Sequence, residues 1–208
     1  MINRAQRYGD LGLLFECSDD GQAGDLALHL RGVAIPGVIE IIPGAQTVLL
    51  QFTDGNLRDQ QASRSDGLWT TFLGSTPKKL EISGIVTLPV RYDGADLAAV
   101  AQTLGISSAE VVRRHTAGEY TSSFLGFVPG FAYLRGLDPT LAVPRRSDPR
   151  TQVPAGSVAI AGAMTAVYPR SGPGGWQLLG ICTVPLFDVD QHPPALLTAG
   201  THVRFVAI

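Results

Sequence analysis

Arginines dominate the charge of residues 124–176, and their side chains are the strongest candidates for chemistry in this sequence. The segment contains no lysine and two aspartates, so its net charge is +3, whereas the whole chain carries −2 and the remainder therefore −5. A guanidinium group presents paired N–H donors that match a carboxylate or a phosphate. The segment predicts a surface that binds a small anion or an acidic partner, with solvated arginines on an irregular sheet as the alternative. Its arginines are Arg135, Arg145, Arg146, Arg150 and Arg170.

Two of these arginines follow prolines in a regular spacing. Prolines recur at positions 144, 149 and 154, and Arg145 and Arg150 each come directly after one of them. Proline fixes φ and disfavours helix, so this stretch is expected to be extended and rigid. Rigid presentation lowers the entropic cost of binding, which favours Arg145 and Arg150 as anion-binding residues. A surface meander whose arginines contact only water is the alternative.

Aromatic rings and glycines surround the arginines. Residues 128–131 (VPGF) fit a type II turn, with Pro at its second position and Gly at its third, where φ is positive. Residues 171–176 (SGPGGW) could form a backbone nest that binds an anion, and plain tight turns are the alternative for both stretches. The candidate substrate- or partner-binding residues in these motifs are Phe127, Pro129, Gly130, Phe131, Tyr133, Tyr168, Arg170, Gly174, Gly175 and Trp176.

His115 is the histidine best placed for proton transfer or anion contact. It lies near the predicted end of a helix, where the helix dipole favours imidazolium and would raise its pKa. A capping role is the alternative. The other histidines, at positions 29, 192 and 202, lack the spacing of metal ligands, so no metal site is expected. GxxxxGK[ST] is absent and no GxGxxG follows a predicted strand, so the chain is expected to bind no ATP of its own.

Composition excludes several functional classes. With 208 residues, 45% of them hydrophobic and 16% charged, the chain is long enough for one large or two small globular domains. A net charge of −2 argues against a nucleic-acid partner. The two cysteines, Cys17 and Cys182, lie far apart, which predicts a reducing compartment. No signal-peptide core and no bilayer-spanning run are seen, so we expect a cytoplasmic protein without membrane contact.

The order of predicted elements indicates an α+β protein. The N-terminal half follows the order β-α-β-β-α-β, which is typical of a ferredoxin-like sandwich. Its predicted strands are 11–17, 38–42, 47–52 and 80–90, and its helices are 26–31, capped by Asp25, and 56–72. The C-terminal half begins with helices at 97–104 and from 107 or 108 to about 116, followed by short strands that indicate a barrel or sandwich. Those strands are 124–128, 158–161, 166–168, 176–179, 184–188 and 203–208.

Four motifs in order resemble the signature of a known family. They are GFVPGFAYL (126–134), PRRSDPR (144–150), VPAGSVAIAG (153–162) and YPRSGPGGW (168–176). Together they are similar to the family of 5-oxoprolinase B subunits, also called allophanate hydrolase subunit 1 or the Kip-type kinase inhibitor family. The similarity extends to PGVIEIIP (36–43) and to the end of the sequence, so it covers nearly the whole chain.

This resemblance implies a ferredoxin-like domain at residues 1–86 and a cyclophilin-like β-barrel at residues 87–208. It also implies a hydrolase complex with partner subunits C and A that uses ATP to open 5-oxoproline to glutamate, with this chain binding no cofactor. In that complex His115, Arg145 and Arg150 are the candidate catalytic residues. Kip-type members instead bind and inhibit a histidine kinase through the barrel, which is the alternative. Peptidyl-prolyl isomerase activity, by analogy with cyclophilin, is a third hypothesis.

Two stretches depart from the family pattern. The segment 93–96 is shorter than its counterpart in the family, and Ile181 stands where the family has an arginine after the tryptophan strand. The second change removes a cation that could contact a substrate or a partner.

Overall fold

The computed structural model of the protein describes residues 5–74 and 84–208. The chain forms two compact units, residues 1–81 and 82–208. Each unit has its own hydrophobic core. The predicted division between residues 86 and 87 falls inside Ile85–Arg91, a strand of the second unit.

The first unit combines an antiparallel sheet with helices. Its elements are β1 (Gln6–Tyr8), β2 (Gly12–Glu16), α1 (Asp20–Arg31), β3 (Val38–Pro43), β4 (Thr47–Phe52), α2 (Gly55–Ala62) and α3 (Ser65–Gly74). The strands lie in the order β1-β2-β4-β3. Every second residue of β4 is buried. This alternation is expected of a strand that packs one of its faces against a core. Trp69 of α3 stacks on Phe15 of β2 and closes this core.

The structure corrects both predicted helices of this unit. Helix α1 begins six residues before the predicted start, because Asp19 rather than Asp25 is its N-cap and accepts a hydrogen bond from the Gln22 N–H at 2.8 Å. The predicted helix 56–72 is two helices, interrupted at positions 63 and 64.

The strand predicted at residues 80–90 was expected to complete this sheet, and for the residues that the structure describes this prediction is wrong. Residues 80–83 lie outside the described residues, and Ile85–Arg91 pairs with strands of the second unit instead. The edge position beside β2 is occupied by β1, a three-residue strand that the sequence pattern did not predict.

The second unit is built around a closed barrel. Its elements are β5 (Ile85–Arg91), α4 (Leu97–Leu104), α5 (Ser108–Ala117), β6 (Tyr120–Leu125), β7 (Ala132–Arg135), a 3₁₀ turn (Pro139–Leu141), β8 (Arg150–Val153), β9 (Ser157–Ala161), β10 (Met164–Val167), β11 (Gly172–Gly174), β12 (Gln177–Cys182) and β13 (His202–Ala207). The barrel order is β10-β7-β6-β13-β5-β12-β9, and β8 and β11 form a separate ribbon. Strand β5 pairs in parallel with β13. The predicted α+β class with a C-terminal barrel is confirmed.

One side of the barrel wall is buried on both faces. In β9, Val158 and Ile160 belong to the interior core, whereas Ala159 and Ala161 belong to a second cluster outside the wall. Successive side chains of a strand point to opposite faces, so β9 contributes side chains to both cores. The outer cluster also contains Phe131, Val153, Ala166, Tyr168, Trp176 and Leu178.

Helices α4 and α5 agree with the predictions, but several strands do not. Gly105 ends α4 with a left-handed φ of +67°, and the Ser107 hydroxyl caps α5 by accepting from the Glu110 N–H. The predicted strand 184–188 contributes only an isolated bridge between Phe187 and Ala195. Strands β7, β8 and β11 were missed because they are short, and the last of them is only Gly-Pro-Gly.

Replacing Ile160 by alanine should lower the free energy of unfolding of the second unit by about 2–5 kcal/mol, because a cavity replaces packed methylenes in the barrel interior. Urea denaturation followed by circular dichroism measures this loss. The control is Val206→Ala on β13. Val206 is 40% exposed, so this substitution should cost clearly less than Ile160→Ala, about 1 kcal/mol or below. Equal losses for the two variants would contradict the assigned inner face.

Candidate functional site

Four aromatic rings from two of the motifs meet on the outer face of the barrel wall. The Phe131 ring lies at the centre, with its centroid 4.9 Å from Tyr133, 5.2 Å from Tyr168 and 5.9 Å from Trp176, mostly edge to face. These contacts place the loop between β6 and β7, the end of β10 and the start of β12 against one another. Phe131, Tyr133, Tyr168 and Trp176 are called the signature cluster below.

The turn that carries Phe131 has the predicted type II features. The Phe131 N–H donates to the Val128 carbonyl at 3.0 Å, and Gly130 has a φ of +81°. A Cβ at position 130 would also lie 2.6 Å from the Cβ of Phe187. Glycine is therefore required here both by the backbone and by the neighbouring side chain.

Phe127 is held above the signature cluster in an unfavourable backbone conformation. Its φ is +66°, in the left-handed region that non-glycine residues avoid at a cost of about 1–3 kcal/mol. Its side chain is 55% exposed, and its ring makes edge contacts with Phe131 and Tyr168. A strained backbone that presents an aromatic ring to the exterior points to a binding role.

Two of the five arginines are paired with an aspartate that the sequence pattern did not single out. Arg150 donates to both carboxylate oxygens of Asp96 at 2.8 Å, and Arg146 donates to Asp96 Oδ1 at 3.0 Å. The Asp96 residue is 3% exposed. This corrects the expectation that Arg145 and Arg150 act alike on an anion, because the two terminal nitrogens of Arg150 already bind Asp96. Asp96 directly precedes α4 and lies outside residues 124–176, so the charge of that segment does not include it.

The Asp96 carboxyl group remains ionised in this setting. Burial alone would raise the pKa of Asp96, but hydrogen bonds from Arg150 and from the Leu178 N–H, together with the charges of Arg150 and Arg146, lower it below its usual value. An ionised Asp96 neutralises part of the predicted positive surface.

The exposed cations that remain are Arg145 and Arg170. Neither makes a hydrogen bond or an ion pair with residues 5–74 or 84–208. The backbone of Arg145 lies next to Gly175. The Arg145 Cβ is 4.0 Å from the position that a Cβ on Gly175 would occupy. Burial raises the pKa of the Tyr168 hydroxyl, although the nearby Trp176 N–H and the charge of Arg145 oppose that shift. The hydroxyl is therefore a neutral donor beside a free guanidinium.

Phe127, Arg145 and Arg170 are together called the signature surface below. Phe127 contacts rings of the signature cluster, the charge of Arg145 acts on Tyr168, and Arg170 follows Tyr168 by two residues. These residues offer an exposed aromatic ring and two exposed guanidinium groups without partners among the described residues. Such a surface can bind an apolar group that carries or borders carboxylates or phosphates.

The glycine-rich stretch 171–176 does not form the predicted nest. Gly172 and Gly174 pair with Val153 and Arg150 in the ribbon of β8 and β11. A Cβ at Gly174 would lie 2.3 Å from the Tyr168 hydroxyl oxygen. The glycine at this position is therefore needed for close packing of the ribbon on the signature cluster.

His115 lies in the barrel interior, away from the signature surface. The Thr165 hydroxyl donates to the Ala159 carbonyl at 3.0 Å, so the His115 Nε2–H must donate to Thr165 Oγ1 at 2.9 Å. Nδ1 then accepts from the Tyr92 hydroxyl at 2.7 Å. Burial lowers the pKa of His115 to about 3, so the predicted rise of its pKa is wrong. The geometry gives His115 a structural role, because both ring nitrogens bond inside the core.

The residues that the structure describes contain neither a cluster of potential metal ligands nor a helix that could span a membrane. Within residues 5–74 and 84–208, no three His, Cys, Asp or Glu side chains come together as a possible metal site. No helix in the same ranges is long and apolar enough to cross a membrane.

Comparison with known families agrees with the fold and the motifs. Residues 4–197 match the family model of the carboxyltransferase domain, subdomain C and D. This match defines the class of domain to which the two-unit fold corresponds.

Relatives of known name identify the family within that class. The 5-oxoprolinase B subunit of Escherichia coli O157:H7 is 44% identical over 86% of this chain and 82% of its own. The 5-oxoprolinase B subunit of Bacillus subtilis is 41% identical over 88% of this chain and 80% of its own. The chain belongs to the family of 5-oxoprolinase B subunits, and the resemblance stated from the motifs is confirmed.

A solved structure shows the same fold within a longer chain. The protein TTHA0988 is 34% identical and superposes with a TM-score of 0.74 over 95% of this chain. This chain spans 40% of the length of TTHA0988.

The burial of His115 predicts a pH-dependent stability. An unfolded histidine has a pKa of about 6.5, whereas the folded pKa is about 3, so between these values the unfolded chain binds more protons. Stability should therefore fall as the pH falls, by about 2 kcal/mol between pH 7 and pH 5. Urea denaturation at several pH values measures the slope.

Replacing His115 by glutamine should remove most of this slope. The matched control is His202→Gln, which changes a half-buried histidine of β13 and should keep the wild-type slope. An unchanged slope in the His115 variant would show that other groups cause the dependence.

Proposed function

We propose that this chain is the B subunit of an ATP-dependent 5-oxoprolinase complex that acts with partner subunits C and A. The observation that carries the proposal is the signature surface, where Phe127 is strained and exposed while Arg145 and Arg170 lack partners among the described residues. Backbone strain reduces the stability of an isolated chain, and exposed guanidinium groups without protein partners are free to contact another molecule. The names of the relatives support the same interpretation.

The reaction explains why guanidinium groups would be useful. A lactam such as 5-oxoproline resists hydrolysis, and transfer of a phosphoryl group from ATP to its amide oxygen makes the ring carbon electrophilic. Water then adds to that carbon and the ring C–N bond breaks, with a proton passing to the nitrogen, which gives an acyl phosphate. A second water hydrolyses the acyl phosphate to glutamate and phosphate. The phosphorylated lactam carries both a carboxylate and a phosphate, which are ligands of arginine.

In this proposal the chain contributes binding groups and the complex consumes ATP. Arg145 and Arg170 would face carboxylates of a partner or help to hold the anionic intermediate. Phe127 would insert its ring into an apolar recess of the partner. Because His115 is enclosed in the barrel interior, proton transfer is assigned to partner residues or water.

The Kip-type function is the second candidate, and the exposed Phe127 ring favours it. A single aromatic side chain on a rigid turn could dock in a groove between the helices of a histidine kinase. Addition of the purified chain to histidine kinases from the same cell tests this idea. Unchanged autophosphorylation together with no measurable binding would exclude the kinase hypothesis.

The 5-oxoprolinase proposal predicts that Arg145→Ala weakens the complex. We expect about a tenfold to hundredfold loss of affinity for the partner subunits, because a charge-assisted hydrogen bond contributes about 1.5–3 kcal/mol. The tagged chain is co-purified with subunits C and A, and glutamate release is measured with and without ATP. Arg204→Ala, an exposed arginine of β13, is the matched control and should leave both measurements unchanged.

A second variant separates binding from stability. Phe127→Gly removes the ring and relieves the positive φ, so the isolated chain should be at least as stable as the wild type while its affinity for the partner falls. A complex that forms and turns over normally with both Phe127→Gly and Arg145→Ala would rule out the signature surface as the contact. Absence of ATP-dependent glutamate release from the wild-type complex would rule out the proposed activity.

A further inference from the structure

Asp96 occupies the N-cap position of α4 without capping it. The side chains of Asp19, Asp54 and Ser107 cap α1, α2 and α5 by accepting N–H groups of the first turn. The Asp96 side chain makes no such hydrogen bond. An aspartate at this position normally stabilises its own helix, so the carboxylate of Asp96 serves another element.

That carboxylate binds four donors. They are Nη1 and Nη2 of Arg150, each at 2.8 Å, Nη1 of Arg146 at 3.0 Å and the Leu178 N–H at 2.8 Å. A carboxylate has about four lone-pair positions, so its acceptor capacity is filled. The Asp96 N–H also donates to the Leu178 carbonyl, so backbone and side chain together fix Asp96 on β12.

The two arginines belong to a segment that is anchored on both sides of Arg145. The Pro144 carbonyl accepts from Gln177 Nε2 at 3.2 Å, and the Arg146 N–H donates to the Gly175 carbonyl at 2.7 Å. Arg145 therefore lies between two fixed residues, and its own side chain is exposed. The same Gly175 contact holds the loop immediately before Trp176.

We propose that Asp96 is a positioning residue for the signature surface. By binding Arg146 and Arg150 it fixes the segment 144–150 against β12 and the Gly175–Trp176 loop, and it leaves Arg145 as the one arginine of that segment presented to a partner. The partner surface that fits is an apolar recess bordered by carboxylates, because the signature surface offers an aromatic ring and unpaired guanidinium groups. The partner part of this inference depends on the proposed function, whereas the loop geometry does not.

Trp176 fluorescence tests the positioning directly. The chain has two tryptophans, Trp69 and Trp176, so Trp69→Phe leaves one reporter inside the signature cluster. In that background, Asp96→Asn should shift the Trp176 emission maximum to longer wavelength. The acrylamide quenching constant should rise severalfold, because a loosened loop exposes the indole. Circular dichroism verifies that the barrel remains folded.

The matched control is Asp93→Asn, three residues earlier. Asp93 pairs with Arg91 at an exposed position, so its replacement should leave the Trp176 emission unchanged. Should Asp96→Asn fail to fold, Arg146→Gln removes one of the four donors while Arg150 keeps its pair, and a smaller shift in the same direction is expected. Emission identical to the wild type in both Asp96→Asn and Arg146→Gln overturns the proposal.

Partner affinity distinguishes positioning from general stability. Asp96→Asn should raise the Kd for the partner about tenfold or more, and a large excess of partner should restore maximal turnover. Shifted emission with unchanged Kd overturns the assigned role in docking. If the wild-type chain binds neither partner, the proposed function fails, and the fluorescence comparison alone decides whether Asp96 holds the loop.

Discussion

Strands on one side of the barrel bury side chains on both of their faces, and this constraint governs the region that carries the candidate site. Strand β9 has Val158 and Ile160 inside and Ala159 and Ala161 outside. Small residues on the outer face leave room for large rings to pack against the wall. The rings in turn need a cover, which the ribbon of β8 and β11 contributes.

The electrostatic arrangement follows from that cover. The ribbon and the preceding segment hold most of the arginines of residues 124–176, and packing such a segment over a core brings Arg146 and Arg150 next to a buried carboxylate. A buried charge is tolerated only when it is paired and hydrogen-bonded. The set of groups that remains for contact with other molecules is smaller than the sequence suggests, namely the exposed side chains of Arg145, Arg170 and Phe127.

Local patterns were sufficient for some elements and insufficient for others. Helix α4 could be located because its apolar spacing ends at a glycine, and the turn at Pro129 and Gly130 because its chemistry is contained in four residues. The two arginine partners of Asp96 lie fifty and fifty-four residues away, and no local signal connects them to Asp96. Strand β11 is Gly-Pro-Gly, whose composition argues against a strand. The pKa of His115 depends on burial, which only the tertiary structure defines.

The parallel pairing of β5 with β13 has a consequence for how the second unit folds. Strand β5 begins at Ile85 and its neighbour β13 begins at His202, so these adjacent strands are separated by nearly the whole unit. Contacts of such long sequence separation form slowly, because loop closure must precede any gain from pairing. The helices and the hairpin of β9 and β10 involve near neighbours and can form earlier. Until β13 arrives, β5 has an unpaired edge, and this interval is when the chain is most exposed to aggregation.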